Sequence, residues 1–285
     1  MGNIMLGFPN RVDTAMLSNG SWVASLPLTN LQRRLIGQVA RTTDTALTST
    51  RIDINLGTSK NTRLVNLTNH NLSLGATYRI TASPDSAYAT LAYDSGWLPV
   101  WPQVYPYSSL EWEDDNFWTG QYTQEQIAGY TTSLTHILPT SKVVQYWRIE
   151  LNDTTNLAGY VQAGRLFIGP AWQPTNNMSY SNSLAWETKT VVDEAISGAE
   201  YFDVRLPYRV AKVSFDWMAT DEAMTNAFEI TRRAGIDQEV MYIHDPDDTV
   251  HALRRRFLSR MRTLNPIENP YFNQNKQAFE FKELL

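Results

Sequence analysis

From Arg51 to Ile168 the chain alternates apolar and polar positions in short runs separated by turn residues. Arg51-Ile52-Asp53-Ile54-Asn55-Leu56-Gly57 puts Ile52, Ile54 and Leu56 on one side and stops on glycine, which predicts a half-buried strand entering a turn. Leu64-Val65-Asn66-Leu67 predicts a second strand before the turn-rich Asn69-His70-Asn71. Residues 76–81 alternate again and meet Ser83-Pro84-Asp85, a breaker. Residues 144–151 set Tyr146, Arg148 and Glu150 against Trp147, Ile149 and Leu151, and residues 161–168 close the series before Gly169-Pro170. Between them, residues 92–129 are rich in Pro, Trp and Tyr without a sustained period, which predicts a long excursion of the kind that carries binding functions.

The polar stretch 173–183, QPTNNMSYSNS, predicts a linker between two domains, 1–172 and 184–285. Behind it, residues 188–196 and 209–217 predict strands. Residues 220–234 predict one helix, with Thr220 as N-cap, Asp221 and Glu222 at its positive end, and Arg232 and Arg233 at its negative end. Gly235 would be a left-handed stop. Met224, Ala227, Phe228 and Thr231 are expected on its buried face. Residues 239–243, 257–264 and 277–282 predict further strands, and His244-Asp245-Pro246-Asp247-Asp248 a turn. The fold class is therefore mainly β, with two β-rich domains of which the second carries one packed α-helix.

The chain has 285 residues, a net charge of −5 and no cysteine, which excludes disulfides, thiolate chemistry and a cysteine zinc site. The densest basic run is Arg254-Arg255-Arg256, too little for nucleic acid as the main partner. The first residues, MGNIMLGFPNRVD, lack the basic and apolar regions of a secretory signal, and no apolar run is long enough for membrane insertion, so a soluble protein is expected.

TSTRIDINLG, LVNL, ATYRITASPD, YWRIELND and YVQAGRLFIG, in that order over residues 12–170, resemble the discoidin-like, galactose-binding-like jelly roll. Asp53 before Leu56-Gly57, Trp147-Arg148-Ile149 and the run Arg165 to Gly169 carry the likeness; the bridging cysteines usual at the ends of that domain are absent. The second half, with RVAKVSFDWMATDEAMTNAFEITRRAG at its centre, resembles small β-sandwich domains of tailed-bacteriophage tail-tip and tube proteins, which implies a C-terminal β-sandwich or barrel with its packed α-helix behind an N-terminal jelly-roll β-sandwich. Together the resemblances imply a structural subunit like the distal tail protein of a phage tail tip or baseplate. Its partners would be itself, as a ring with a hexamer among the orders considered, other tail proteins, and a host glycan. Its place would be the virion tail, assembled in the bacterial host cytoplasm. They imply no cofactor and no catalysis; the alternative is a stand-alone carbohydrate-binding protein or, less favoured, a glycan-degrading enzyme.

Candidate chemistry concentrates in LEWEDDNFWTG, residues 110–120. Trp97, Trp101, Trp112 and Trp118 offer faces for a sugar ring, and Glu111, Asp114 and Asp115 offer hydroxyl acceptors. The competing reading buries the aromatics and leaves the acids solvated, and it outweighs the first because most aromatics serve packing. Neighbouring acids on one loop do not flank a glycosidic bond, and Asp114-Asp115-Asn116-Phe117-Trp118 lacks the alternating ligands of a calcium loop. Arg254, Arg255, Arg256, Arg260 and Arg262 suit either an inter-subunit ion-pair surface or a solvated face. His244, Asp245, Asp247 and Asp248 are metal-ligand types, but the turn accounts for them better than a metal does, His251 adds little, and His70 and His136 are isolated. No nucleophile elbow, dinucleotide loop or phosphate loop occurs.

Overall fold

The structure, a computed structural model, describes residues 2–285. The first unit is a jelly-roll β-sandwich whose main sheet runs Arg165–Gly169, Ile52–Thr68, Ser133–Asn152, Thr77–Ser83, Tyr93–Asp94, all antiparallel. Met16–Ser18 is added on Ile52–Thr68 and Leu98–Pro99 on Thr77–Ser83. The two strands expected at 51–57 and 64–67 are one continuous element, Ile52–Thr68. Its register against Ser133–Asn152 slips between Asn55 and Lys60 and again between Thr62 and Leu64. A bulge bends a strand instead of ending it, so the long pair curves round the core where the sequence suggests a turn. Residues 133–143 carry His136, Pro139 and Lys142, which hide their strand character, yet they pair with residues 62–68.

The second unit is one eight-stranded antiparallel sheet, ordered Ala171–Trp172, Met5–Gly7, Glu239–Ile243, Arg256–Thr263, Gln274–Glu283, Tyr208–Ala219, Ser183–Glu187, with Glu268–Tyr271 on Gln274–Glu283. Two of its strands lie within 1–172 in sequence: Met5–Gly7 pairs with Glu239–Ile243, and Ala171–Trp172 pairs with Met5–Gly7. The stretch 173–183 is tied down at several points. Asn3 Nδ2 donates to the carbonyls of Pro174 (2.8 Å) and Thr175 (3.0 Å), and Ile4 N donates to Asn177 Oδ1 (3.0 Å).

The helix spans 220–234 as expected, with a π-helical stretch over Ala223–Phe228. Of the residues expected on its buried face Ala227 is buried, but with Ala223, Ile230 and Ala234, packed on Val213, Phe215, Met218 and Phe279, while Met224 and Phe228 face solvent. Three alanines let the helix lie close to the sheet, and the larger side chains turn outward. Ala219 holds the cap position and Thr220 is already helical, its Oγ1 accepting from Asn275 Nδ2 at 3.0 Å. Gly235 ends the helix at φ +52°, ψ −145°, a region open almost only to glycine and distinct from the left-handed helical stop.

The units meet over buried Met5, Ile36, Leu64, Phe167, Met241 and Leu258. Arg165, fully buried, crosses this junction: its Nε donates to both oxygens of Glu239 (3.0 and 2.9 Å), and a terminal nitrogen reaches Asp13. Among the described residues no helix is long and apolar enough to cross a membrane, which leaves membrane-spanning strands unaddressed.

Candidate functional site

The aromatic excursion is built on a small core of its own. Trp101, Val104, Tyr122 and Ile127 bury together with Leu253 of the second unit. Trp101 Nε1 donates to the Leu72 carbonyl (3.2 Å), and Thr123 caps the short helix Gln124–Ile127 with a reciprocal side-chain bond to Gln126. Val104 N and Tyr105 N both donate to Gly120 O (2.9 and 3.0 Å). Gly120 has φ +60°, and a Cβ there would stand 2.9 Å from Tyr105 O, so only glycine closes the loop without strain. Asn116, buried, donates to Gln121 O at 2.6 Å and fixes the neck.

Above this neck, residues 111–115 are exposed. Trp112 is 76% exposed and Trp118 82%, with Phe117 set edge-on to Trp118 at 5.2 Å. Asp114 Oδ2 accepts from Glu111 N (2.8 Å), which shapes the turn, and Asp115 stands in solvent. Trp97 is 43% exposed, whereas Trp101, at 6%, has no open face and belongs to packing. The loop thus brings together Glu111, Trp112, Asp114, Asp115 and Trp118 but not Trp101. All its acids stand on one exposed turn, an arrangement suited to surface contact and not to flanking a bond.

The arginines do not form one surface. Arg256 donates to the carbonyls of Asp245 (3.3 Å), Pro246 (2.8 Å) and Asp248 (2.9 Å) and so holds the 245–248 turn, while burial lowers its pKa. Arg255 pairs with Asp248 (3.3 Å), Arg262 with Glu187 (2.8 Å) and Glu280 (3.1 Å), and Arg254 lies over the Tyr122 ring at 5.8 Å. Arg260 is exposed and lines a groove described below. The carboxylates of the 244–248 turn are occupied locally: Asp245 Oδ1 accepts from Gly2 N and Asp247 N, and Asp248 Oδ1 from His251 N. Among the described residues no three His, Asp or Glu side chains converge as metal ligands.

His70 and His136 are buried. His136 sits between two tyrosine hydroxyls, Tyr78 at Nδ1 (3.0 Å) and Tyr93 at Nε2 (2.8 Å). His70 Nδ1 accepts from Leu72 N (3.3 Å), and its Nε2 is buried with no partner. Burial pushes both imidazoles down to about 4; for His70 the charge of Asp153 opposes the shift without reversing it.

One surface was not legible as a site in the sequence. Val191–Glu194 and Glu200–Asp203 form a two-stranded hairpin outside both main sheets. Val191, Val192, Ile196, Tyr201, Phe202 and Val204 along it are all exposed. The strand expected over residues 188–196 is Val191–Glu194, exposed along its whole length, and the adjacent Val191-Val192 puts an apolar side chain on each of its faces. At the hairpin's root lies a groove of about 930 Å³ with Leu35, Leu206, Leu284 and Leu285 on its walls and Arg34, Lys189, Arg205, Arg260 and Lys282 around them.

Comparison with known proteins finds no matching family model and no matching curated protein. Among solved structures, the chain is similar to a CBM32 module from a family 31 glycoside hydrolase of Clostridium perfringens. That match has 9% identity and a TM-score of 0.38, and covers 57% of this chain and 99% of that one. It is also similar to a mutant of the lectin-binding domain of lectinolysin complexed with Lewis b (12% identity, TM-score 0.37, 57% and 97% covered). Another CBM32 module produced by Clostridium perfringens gives 13% identity, a TM-score of 0.34, and 58% and 99% coverage. The strand pairing itself, not these likenesses, carries the fold.

Proposed function

We propose that this chain is a structural subunit that assembles with copies of itself, in the tail tip or baseplate of a tailed bacteriophage, and holds its jelly roll outward for protein or glycan contact. The projecting hairpin carries the assembly part of this reading. An isolated two-stranded hairpin is marginal in water, and apolar side chains on both its faces lose their hydration cost only against a partner. A second copy fits. The hairpin tip bears Asp193, Glu194 and Glu200 beside Ile196. The groove at its root has apolar walls on which five basic residues stand against Asp237, Glu239 and Glu283, the last two buried, which leaves Lys189, Arg260 and Lys282 to face an acidic tip. Tip into groove is a head-to-tail contact, which closes into a ring when its rotation permits. The tail context comes from the sequence resemblance alone.

Light scattering behind size-exclusion chromatography tests the assembly. The intact chain is expected as a discrete oligomer, and Val192→Ser/Tyr201→Ser/Phe202→Ser as a monomer with unchanged circular dichroism. An intact chain that stays monomeric at high concentration and is missing from purified particles counts against the whole reading.

Glycan contact through residues 110–120 is favoured by one observation, the open faces of Trp112 and Trp118 on a tied loop. Ring stacking of that kind supplies about 1 kcal/mol beyond area burial per aromatic, so Trp118→Ala is expected to weaken glycan-array binding several-fold without altering oligomer size. An unchanged array signal in the Trp112→Ala/Trp118→Ala variant removes the loop from ligand contact.

A further inference from the structure

A separate cavity of about 540 Å³ opens where the helix, the N-terminal segment and the jelly roll come together, and three arginines line it: Arg11, Arg63 and Arg233. In a chain of net charge −5, three cations around one cavity would ordinarily be balanced by acids. Among the described residues none of the three has a carboxylate within ion-pair distance; the one carboxylate lining the cavity, Glu229, makes a two-bond pair with Arg232 (3.0 and 2.7 Å) and acts on Arg233 only through space. Arg11 Nε is buried with no hydrogen-bond partner at all. Burial, and then the charge of Arg233, pull the Arg11 pKa below its ordinary value: the site as it stands penalises its own cation.

The backbone around the cavity is irregular at two independent points. Arg63 falls in the register slip between Thr62 and Leu64, where a bulge re-aims the side chain. Thr225 and Asn226, which also line the cavity, lie in the π-helical stretch 223–228, a distortion that often marks functional sites. The Arg233 guanidinium is 5.4 Å from the centre of the Phe8 ring, which steadies it by cation–π attraction.

We propose that this cavity binds an anionic group, a phosphate or a carboxylate, carried on a polar body about the size of a sugar ring, with Arg11, Arg63 and Arg233 as its clamp. The anion supplies the missing countercharge, and guanidinium forks match both phosphate and carboxylate oxygens in pairs. Asn226, Thr225 and Ser141 supply neutral partners for hydroxyls. The volume lies within the roughly 300–1,000 Å³ usual for small-ligand sites. The site is distinct from the hairpin and from the 110–120 loop, so it stands whether or not the assembly reading does.

Isothermal titration of the full chain with inorganic phosphate, a hexose 6-phosphate, a hexuronic acid and the neutral hexose tests it. Saturable binding of the sugar phosphate or the uronic acid is expected, weaker at high salt and absent for the neutral sugar; the arm that binds identifies phosphate or carboxylate as the anchor. Arg63→Ala and Arg233→Gln should each weaken that binding roughly tenfold or more. Failure of every anion to saturate, equal binding of the neutral hexose, or undiminished binding by the folded double variant would overturn the proposal.

Discussion

Glu239→Gln is expected to lower the free energy of unfolding by about 3–5 kcal/mol, read from urea denaturation at neutral pH. The carboxylate of Glu239 is the main counterion of Arg165, which has no water contact. Glutamine keeps the shape and one acceptor oxygen but removes the buried charge and turns the other oxygen into a donor facing the guanidinium, leaving the partly exposed Asp13 as the one carboxylate on Arg165 beside the Leu31 carbonyl (3.3 Å). Asn10 Nδ2 also donates to Glu239, and through Oδ1 accepts from Val12 N and Ile168 N, so the loss spreads into the N-terminal segment. Arg165→Met/Glu239→Leu should recover most of the stability, because two apolar groups cost less there than one unpaired ion. A loss below about 1 kcal/mol in Glu239→Gln would mean that water reaches Arg165 and that the pair is not the buried cross-link described above.

Acid is expected to destabilise the chain between pH 6.5 and about 4, before its carboxylates titrate in bulk. Both His70 and His136 are pushed down from 6.5 to about 4 by burial. Above pH 6.5 they are neutral whether the chain is folded or not, and the stability is fully present. Below it the unfolded chain takes up protons that the folded chain refuses, so stability falls until the folded imidazoles also protonate near pH 4. At about 1.4 kcal/mol per unit, each site contributes a loss on the order of 3 kcal/mol across that window. Protonation has a structural cost as well: a proton on His70 Nδ1 displaces the Leu72 amide, and a doubly protonated His136 requires both Tyr78 and Tyr93 to accept. Urea midpoints measured against pH should show a slope of about two protons from this pair, cut by His136→Gln and reduced in the double glutamine variant to what His244, also pushed down by burial and by Arg255, contributes. A double variant with the parent slope would assign the acid sensitivity to other groups.

The strands that could be read from the sequence are those with one wet face. Residues 77–83 and 208–219 alternate because one side of each meets solvent or polar neighbours. Glu239–Ile243 was legible for another reason, an unbroken apolar run between turns, being buried on both sides. Helix 220–234 announced its ends through charge and glycine, but its buried face was misjudged because three alanines, not the bulky Met224 and Phe228, make the contact. Met5–Gly7 is too short to show a period, and its partner lies at the opposite end of the chain. Of the candidate surface, the 110–120 loop was visible as unusual composition. The three arginines of the cavity were not, since Arg11, Arg63 and Arg233 come from three distant segments that only the fold brings together.

Because Met5–Gly7 is an inner strand of the second sheet, flanked by Glu239–Ile243 on one side and Ala171–Trp172 on the other, the two units share a seam that peptide continuity does not explain. In chain order this strand precedes its inner neighbour, Glu239–Ile243, by more than two hundred residues. Both its edges stay unclaimed until Ala171–Trp172 follows, and one of them until Glu239–Ile243 does. A protease cut within 173–183 would leave two pieces still laced together through that strand, so a nicked chain should migrate as intact until it is denatured.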